Sequence, residues 1–404
     1  MTDNPKEIEI AGYDYPLPDD RIAKYPLAQR DQSKILVYTH GEIQESTFCN
    51  ITNYLDPNTL LVFNDTKVIH ARLLFRKATG STIEIFCLEP FEKPAVQVFE
   101  SREECTWVCF VGNNKKWKEG RLERVLQIEG KEVVLTASRR EPRGNAWIVD
   151  FRWSGSYSFA EIIESAGVIP LPPYLHREAE ADDNERYQTV YAAHAGSVAA
   201  PTAGLHFTEK VFADLRAKGI GTEFITLDVG AGTFKPVSTA KIGDHEMHVE
   251  KIHITRSNIK RLLEHNMEGL LPVGTTTVRT LESVYWFGVK LQHDPTLNVM
   301  DIRQWDPYEL DSRDINAKEA YRNVLLWMER NGIDQLEGAT QLLIAPGYKY
   351  RVIHRLITNF HQPKSTLLLL VSALIGEQWR ECYSYALDHR FRFLSYGDCC
   401  LFEP

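Results

Sequence analysis

Gly269-Leu-Leu-Pro-Val-Gly-Thr-Thr-Thr-Val-Arg279 is a short apolar run, a glycine and three threonines, and then the start of a helical pattern that continues to Val289. It spells strand, polar turn, helix. The same grammar recurs at Leu356-Ile-Thr-Asn-Phe-His361, where a helix can start at Pro363, and at Pro201-Thr-Ala-Gly-Leu-His-Phe207, which runs into a helix over Thr208 to Lys218. Further strand-like runs are Thr59 to Phe63, Thr222 to Leu227, Gln341 to Ala345 and Val352 to Thr358, and Asp314 to Arg330 has helical spacing. Alternating strands and helices predict an α/β fold whose sheet is mostly parallel or mixed and covered by helices. Ligands bind such sheets at the carboxyl ends of the strands, where helix N-termini converge.

Outward from this pattern the grammar changes. From Ala71 to Arg152, short β-branched or aromatic runs such as Ile83 to Leu88, Trp107 to Val111, Val133 to Thr136 and Trp147 to Phe151 are separated by Gly, Asn and charged turns. They predict a small all-β, barrel-like domain over 71–151, inserted near the N-terminus of a larger α/β domain made of 1–70 plus 152–404. The 404 residues, 43% apolar, suit two or three domains at roughly 150 residues each. The net charge of −9 argues by itself against a nucleic-acid partner. It is uneven, however: residues 67–143 hold 15 basic and 11 acidic side chains, so the rest carries the acidity. Seven scattered cysteines fit neither a disulfide framework nor a zinc spacing and are expected to be reduced thiols. Met1 to Glu9 has no basic segment leading into an apolar one, and the greasy run ending at Ile375 is far short of the ~20 residues of a membrane span. A cytoplasmic location is expected.

Three candidate chemistries follow. Asp228-Val-Gly-Ala-Gly-Thr233 follows a strand and resembles half of a dinucleotide fingerprint, but the third glycine is missing and Phe234-Lys-Pro236 cannot open a helix. Gly230 and Gly232 still admit close approach of a ligand, and Asp228 can accept hydrogen bonds; a plain tight turn is the alternative. His245-Glu-Met-His248 lacks the His-Glu-x-x-His spacing, and His248 to Ile254 alternates like a strand, so catalytic or positioning imidazoles are preferred to a metal, and no metal ligand is assigned. The polar turns bring His206, Thr276, Arg279, Asn359 and His361 to helix starts.

Taken together, Phe63-Asn-Asp-Thr-Lys-Val68 with Ala71-Arg72, Pro170-Leu-Pro-Pro-Tyr174, Tyr187-Gln-Thr-Val-Tyr191, Ala200-Pro-Thr-Ala-Gly-Leu-His-Phe207, Val229-Gly-Ala-Gly-Thr-Phe234, Gly274-Thr-Thr-Thr-Val-Arg279, Thr358-Asn-Phe-His361 and Ser395-Tyr-Gly-Asp398 resemble, in order, the S-adenosylmethionine:tRNA ribosyltransferase-isomerase family of queuosine biosynthesis. The resemblance runs from Tyr13 to Phe402. It implies transfer and isomerisation of the ribosyl moiety of S-adenosylmethionine onto 7-aminomethyl-7-deazaguanine at the wobble position of a tRNA with a GUN-type anticodon. Epoxyqueuosine forms, and adenine and methionine leave. It implies no metal and no cofactor beyond S-adenosylmethionine, consumed as co-substrate, and no membrane partner; a monomer is expected. The chain departs from the family at Asp228, usually His, at His70, usually Pro, and over 290–340, which reads as an insert whose Trp305 and Tyr308 are expected to pack.

That reaction needs a base for the C5′ proton, an acid for departing adenine and a way to deprotonate the aminomethyl cation. His206, Asp228, His245 and His361 are the expected set, without assignment of individual steps. Asp65 and Asp398 are candidates for ribose hydroxyls or the sulfonium; Thr276 and Arg279 suit the methionine carboxylate or a tRNA phosphate. Asn64, Thr202, Gly204, Gly230, Thr233, His248 and Asn359 complete the expected contacts. Phe207, Phe360 and Tyr174 are candidate stacking partners for a flipped base, and Tyr187 and Gln188 read its edge or order their loop. For the RNA backbone the sequence offers Arg72, Arg76 and Lys77 with Lys115, Lys116, Lys118, Arg121 and Arg124. Two other classes stay open: a nucleoside- or S-adenosylmethionine-acting paralogue with a shifted substrate, and a non-catalytic tRNA-binding protein.

Overall fold

The run Leu60–Asn64 forms a strand whose side chains alternate between two cores: Leu60 and Val62 enter one cluster, Leu61 and Phe63 another. Lys34–Thr39, Leu270–Val273 and Cys399–Glu403 divide in the same way. Burial on both faces is why these strands read as continuous apolar runs rather than as alternation. Helices Arg256–Glu264, Thr275–His293 and Ala317–Arg330 cover the first face, and helix Glu209–Ala217 covers the second with Val211, Phe212 and Leu215. The structure is a computed structural model and describes residues 4–77, 79–93, 95–230, 237–310, 312 and 315–404.

Among the described residues the large sheet has ten strands, in spatial order Met300–Ile302, Gln335–Thr340, Glu250–Thr255, Gly221–Asp228, Leu60–Asn64, Leu270–Val273, Leu356–Asn359, Cys399–Glu403, Lys34–Thr39 and Glu42–Thr47. It is mixed. The four strands from Gly221–Asp228 to Leu356–Asn359 are mutually parallel, whereas Glu250–Thr255 and Cys399–Glu403 flank them antiparallel.

Two expectations shift. The strand foreseen at Gln341 to Ala345 lies one segment earlier, at Gln335–Thr340; Leu342 and Ile344 point into one core, Leu343 and Ala345 into another, without joining the ladder. Apolar residues in a row report burial and not pairing. The helix foreseen from Pro363 begins at Thr366, because the Ser365 hydroxyl caps it by accepting from the Leu368 N–H at 3.2 Å.

The second sheet is antiparallel throughout, in the order Gly167–Val168, Arg72–Arg76, Thr82–Pro90, Glu104–Gly112, Ala146–Trp153, Lys131–Arg143 and Leu122–Ile128. It curls until Arg124, on its last strand, donates to the Leu74 carbonyl at 3.1 Å and the Ala166 carbonyl at 2.6 Å. Helix Phe159–Ala166 packs into this sheet's core through Phe159, Ile162 and Ile163, so the packing continues past residue 151. Residues 290–340 supply two strands at the edge of the large sheet and the helix Ala317–Arg330, tied to helix Thr275–His293 by the Tyr321 hydroxyl on the Leu281 carbonyl at 2.9 Å. Trp305 and Tyr308 pack together at 5.6 Å, and the Tyr308 hydroxyl bonds the Leu343 carbonyl. All seven cysteines are free thiols. Among the described residues no helix is long and apolar enough to cross a membrane.

Candidate active site

Four parallel strands end at one edge, at Asn64, Asp228, Val273 and Asn359. Asn64 braces that edge: its amide nitrogen reaches the Leu227 carbonyl at 3.0 Å and the Thr276 hydroxyl at 3.3 Å, while its carbonyl accepts from the N–H groups of Thr66 and Leu227. The three polar turns meet here around an open cleft, to which they bring Thr202, Thr276, Arg279, Asn359 and His361. His245 and His248 close another side. A second cleft shares Val229 and His248 with the first; Asp228 and Gly230 form one wall, and Trp107 and Phe110 of the antiparallel sheet, with Phe99 of the short helix Ala95–Glu100, form the other.

The imidazoles differ sharply. His206 lies behind the first cleft, its Nδ1 2.8 Å from the Ser33 hydroxyl and its Nε2 3.3 Å from the side-chain amide oxygen of Asn359. Burial pushes its pKa down to about 4. His361 has its Nε2 3.0 Å from the Thr358 hydroxyl and is pushed by burial to about 3. His245 is lowered too, by burial and then by His248 beside it. His253, on the face of its strand away from Ile252 and Ile254, moves the other way. Its Nε2 is 3.3 Å from an Asp228 oxygen, and that hydrogen bond raises its pKa.

Asp228 belongs to a polar network. Its other oxygen accepts from Thr66, whose hydroxyl is 2.7 Å from Ser197, and Ser197 accepts from the Val229 N–H. Asp65 accepts from Thr226 at 2.6 Å and faces His194 at 3.6 Å; burial raises its pKa. Gly196 leaves room for the Asp228 carboxylate, whose oxygen would stand 2.4 Å from a Cβ at that position. His253 and His194 were missed in the sequence. Alternation put His253 on the face of Lys251, but pairing with the Asp228 strand is not written in either segment.

Several expected contacts serve the scaffold instead. Phe207 is fully buried among Phe48, Phe63 and Phe212, so it offers no stacking face. Phe360 lies at the cleft but packs against Phe393 at 4.6 Å and Tyr383 at 5.2 Å. Gly204 is needed because a Cβ would meet the Tyr191 hydroxyl at 1.9 Å. Asp398 spends its oxygens on the N–H groups of Lys34 and Arg392, away from either cleft. Gln188 uses both ends of its amide on the Val68 backbone, which selects the loop-ordering reading. Tyr187 and Tyr174 both line the cleft, Tyr187 buried against Tyr396 and Tyr174 with its hydroxyl on Ser395. Arg72 is held by Glu84 through two bonds, and Arg124 closes the curled sheet. Lys77 donates to the Lys116 carbonyl, and Arg76, Lys115, Lys116, Lys118 and Arg121 are exposed, with Arg121 near Glu123. Trp117 in their midst is buried under Arg139. Gly232 and Thr233 lie outside the described residues. Among the described residues no group of three or more His, Cys, Asp or Glu side chains could hold a metal ion.

An α/β protein with its ligand cleft at the carboxyl edge of a mixed sheet, facing a curled antiparallel sheet, is thus defined. The family model described as queuosine biosynthesis protein matches residues 10–402. The chain is 36% identical over 399 residues to the S-adenosylmethionine:tRNA ribosyltransferase-isomerase of Pelobacter propionicus, covering 98% of this chain and 99% of that protein. It is 37% identical over 400 residues to the protein of the same name from Halothermothrix orenii, covering 98% and 99%. A crystal structure of S-adenosylmethionine tRNA ribosyltransferase from Thermotoga maritima matches with 26% identity and a TM-score of 0.45, covering 96% of this chain and 99% of that one. The chain belongs to the queuosine biosynthesis protein family.

Proposed function

We infer that the protein is an S-adenosylmethionine:tRNA ribosyltransferase-isomerase. It moves the ribosyl moiety of S-adenosylmethionine onto 7-aminomethyl-7-deazaguanine at the tRNA wobble position, yielding epoxyqueuosine with release of adenine and methionine. The observation that carries this is the near-full-length match to relatives bearing that name, 36% and 37% identical. Convergence of the three polar turns on one cleft supports it. S-adenosylmethionine is consumed as co-substrate, and the chemistry uses no metal. We place the enzyme in the cytoplasm as a monomer acting on tRNA with a GUN-type anticodon, and divide it into an α/β domain and an inserted β domain.

Within this reading Asp228, His245 and His361 form the acid–base set, and His206 acts through Asn359. The carboxylates of Asp65 and Asp228 suit the cationic aminomethyl group and, near it, the sulfonium. Thr202, Gly230, His248 and Asn359 contact the donor, and Thr276 with Arg279 takes an anion, either the methionine carboxylate or a tRNA phosphate. Tyr174 is left as the stacking candidate, and the exposed lysines at 115, 116 and 118 with Arg76 and Arg121 approach the RNA backbone.

Incubation with S-adenosylmethionine and tRNA carrying the aminomethyl-deazaguanine, followed by mass analysis of the tRNA, tests the function. Adenine release with epoxyqueuosine is expected. Adenine release without it would indicate a paralogue with a shifted substrate, to which the Asp228–His253 pair lends some weight; tRNA binding alone would indicate a non-catalytic protein.

A further inference from the structure

Helix Thr275–His293 opens at the cleft from Gly274, which has no side chain to cap it, so its first N–H groups face the space lined by Thr275 and Thr276. One turn on, Arg279 lines the same cleft although its side chain is only 7% exposed. Its guanidinium is ion-paired with Glu250, itself 3% exposed, and its buried Nε has no hydrogen-bond partner among the described residues. A buried guanidinium N–H without an acceptor is costly, and here it sits beside an uncapped helix end that also favours negative charge.

We propose that Arg279, the N-terminus of helix Thr275–His293 and Glu250 form the seat of the α-amino-acid end of the donor, with the carboxylate on Arg279 and the helix N–H groups and the ammonium toward Glu250. This rests on the donor being S-adenosylmethionine, and it decides between the two anions left open above. A phosphate of an RNA loop would bring negative charge next to Glu250 and carries no positive group of its own. A zwitterion on a slim aliphatic chain meets both requirements. The remaining wall suits that chain: Ala199, Ala203, Val229 and Met247 line the cleft.

The test compares S-adenosylhomocysteine with 5′-methylthioadenosine by calorimetry, since both carry a neutral sulfur and only the first has the amino-acid end. The wild type is expected to bind S-adenosylhomocysteine at least tenfold more tightly. In Glu250→Gln and Arg279→Met that preference should fall below threefold while 5′-methylthioadenosine binds as before, which also certifies the fold; Arg279→Lys should keep part of it. Equal binding of the two compounds by the wild type, or an undiminished preference in the variants, would overturn the proposal. Loss of tRNA affinity in Arg279→Met with the preference intact would assign the site to a phosphate instead. Failure of the wild type to bind S-adenosylmethionine itself would bring down the proposed function, and this seat with it.

Discussion

The two ends of the sheet edge treat imidazole in opposite ways. Around Asn359, His206 behind the cleft and His361 on its wall are both largely buried, which lowers their proton affinity, and each is bonded to hydroxyl or amide groups. Around Asp228, His253 meets a carboxylate and gains proton affinity. Desolvation dominates the first environment and a charged partner the second. The lesson is that a histidine conspicuous in a sequence motif, such as His206, can stand behind the site, while one embedded in an unremarked strand carries the polarised pair.

Breaking the pair should have the largest effect. Asp228→Asn keeps the shape but removes the charge, and turnover is expected to fall by roughly 10²–10⁴, the usual contribution of an acid–base group; single-turnover adenine release measures it. Retained turnover would move the chemistry to the other end.

The neutral end predicts a stability effect of definite sign. His206 and His361 have folded pKa values of about 4 and about 3 against 6.5 unfolded, so acidification protonates the unfolded chain first. Unfolding free energy should therefore drop below pH 6.5, by about 1.4 kcal/mol per pH unit for each of them until its folded value is reached. His206→Gln should remove one such contribution in urea titrations across that window. His253 acts in reverse: its raised pKa adds stability that is fully present below the unfolded value and is lost as pH rises through the folded one.

A smaller effect is expected from His253→Gln, which leaves Asp228 in place without its ionic partner: about tenfold in turnover, with the pH profile shifted. A fall without any shift would make His253 merely structural. Smallest is the joint change of Lys115, Lys116 and Lys118 to Ala, which should flatten the salt dependence of tRNA binding by roughly 2 in log–log slope, at about 0.7 per lost single-strand phosphate contact. An unchanged slope would remove the basic turn from the RNA interface.

Much of this architecture was legible. Leu60 to Asn64 and Leu270 to Val273 announced strands because both faces are buried, and Val278 to Val289 announced a helix because its spacing is regular. The cleft was legible through its three turns. What escaped reading was pairing across the sheet: nothing local says that His253 reaches Asp228, or that Asp398 spends one oxygen on the distant Lys34 N–H. Phe207 looked like a ligand contact because its neighbours are polar, but its own side chain turns inward to Phe63.

The strand Cys399–Glu403 is inserted between Leu356–Asn359 and Lys34–Thr39, joining chain segments made late and early in synthesis. Until Cys399–Glu403 leaves the ribosome, Lys34–Thr39 has a bare flank and the turn bearing Asn359 lacks its neighbour. The cleft therefore stays unfinished, and the edge exposed, until a strand more than 350 residues further along the chain than Lys34–Thr39 is made. An open edge held that long is a place for non-native strand pairing.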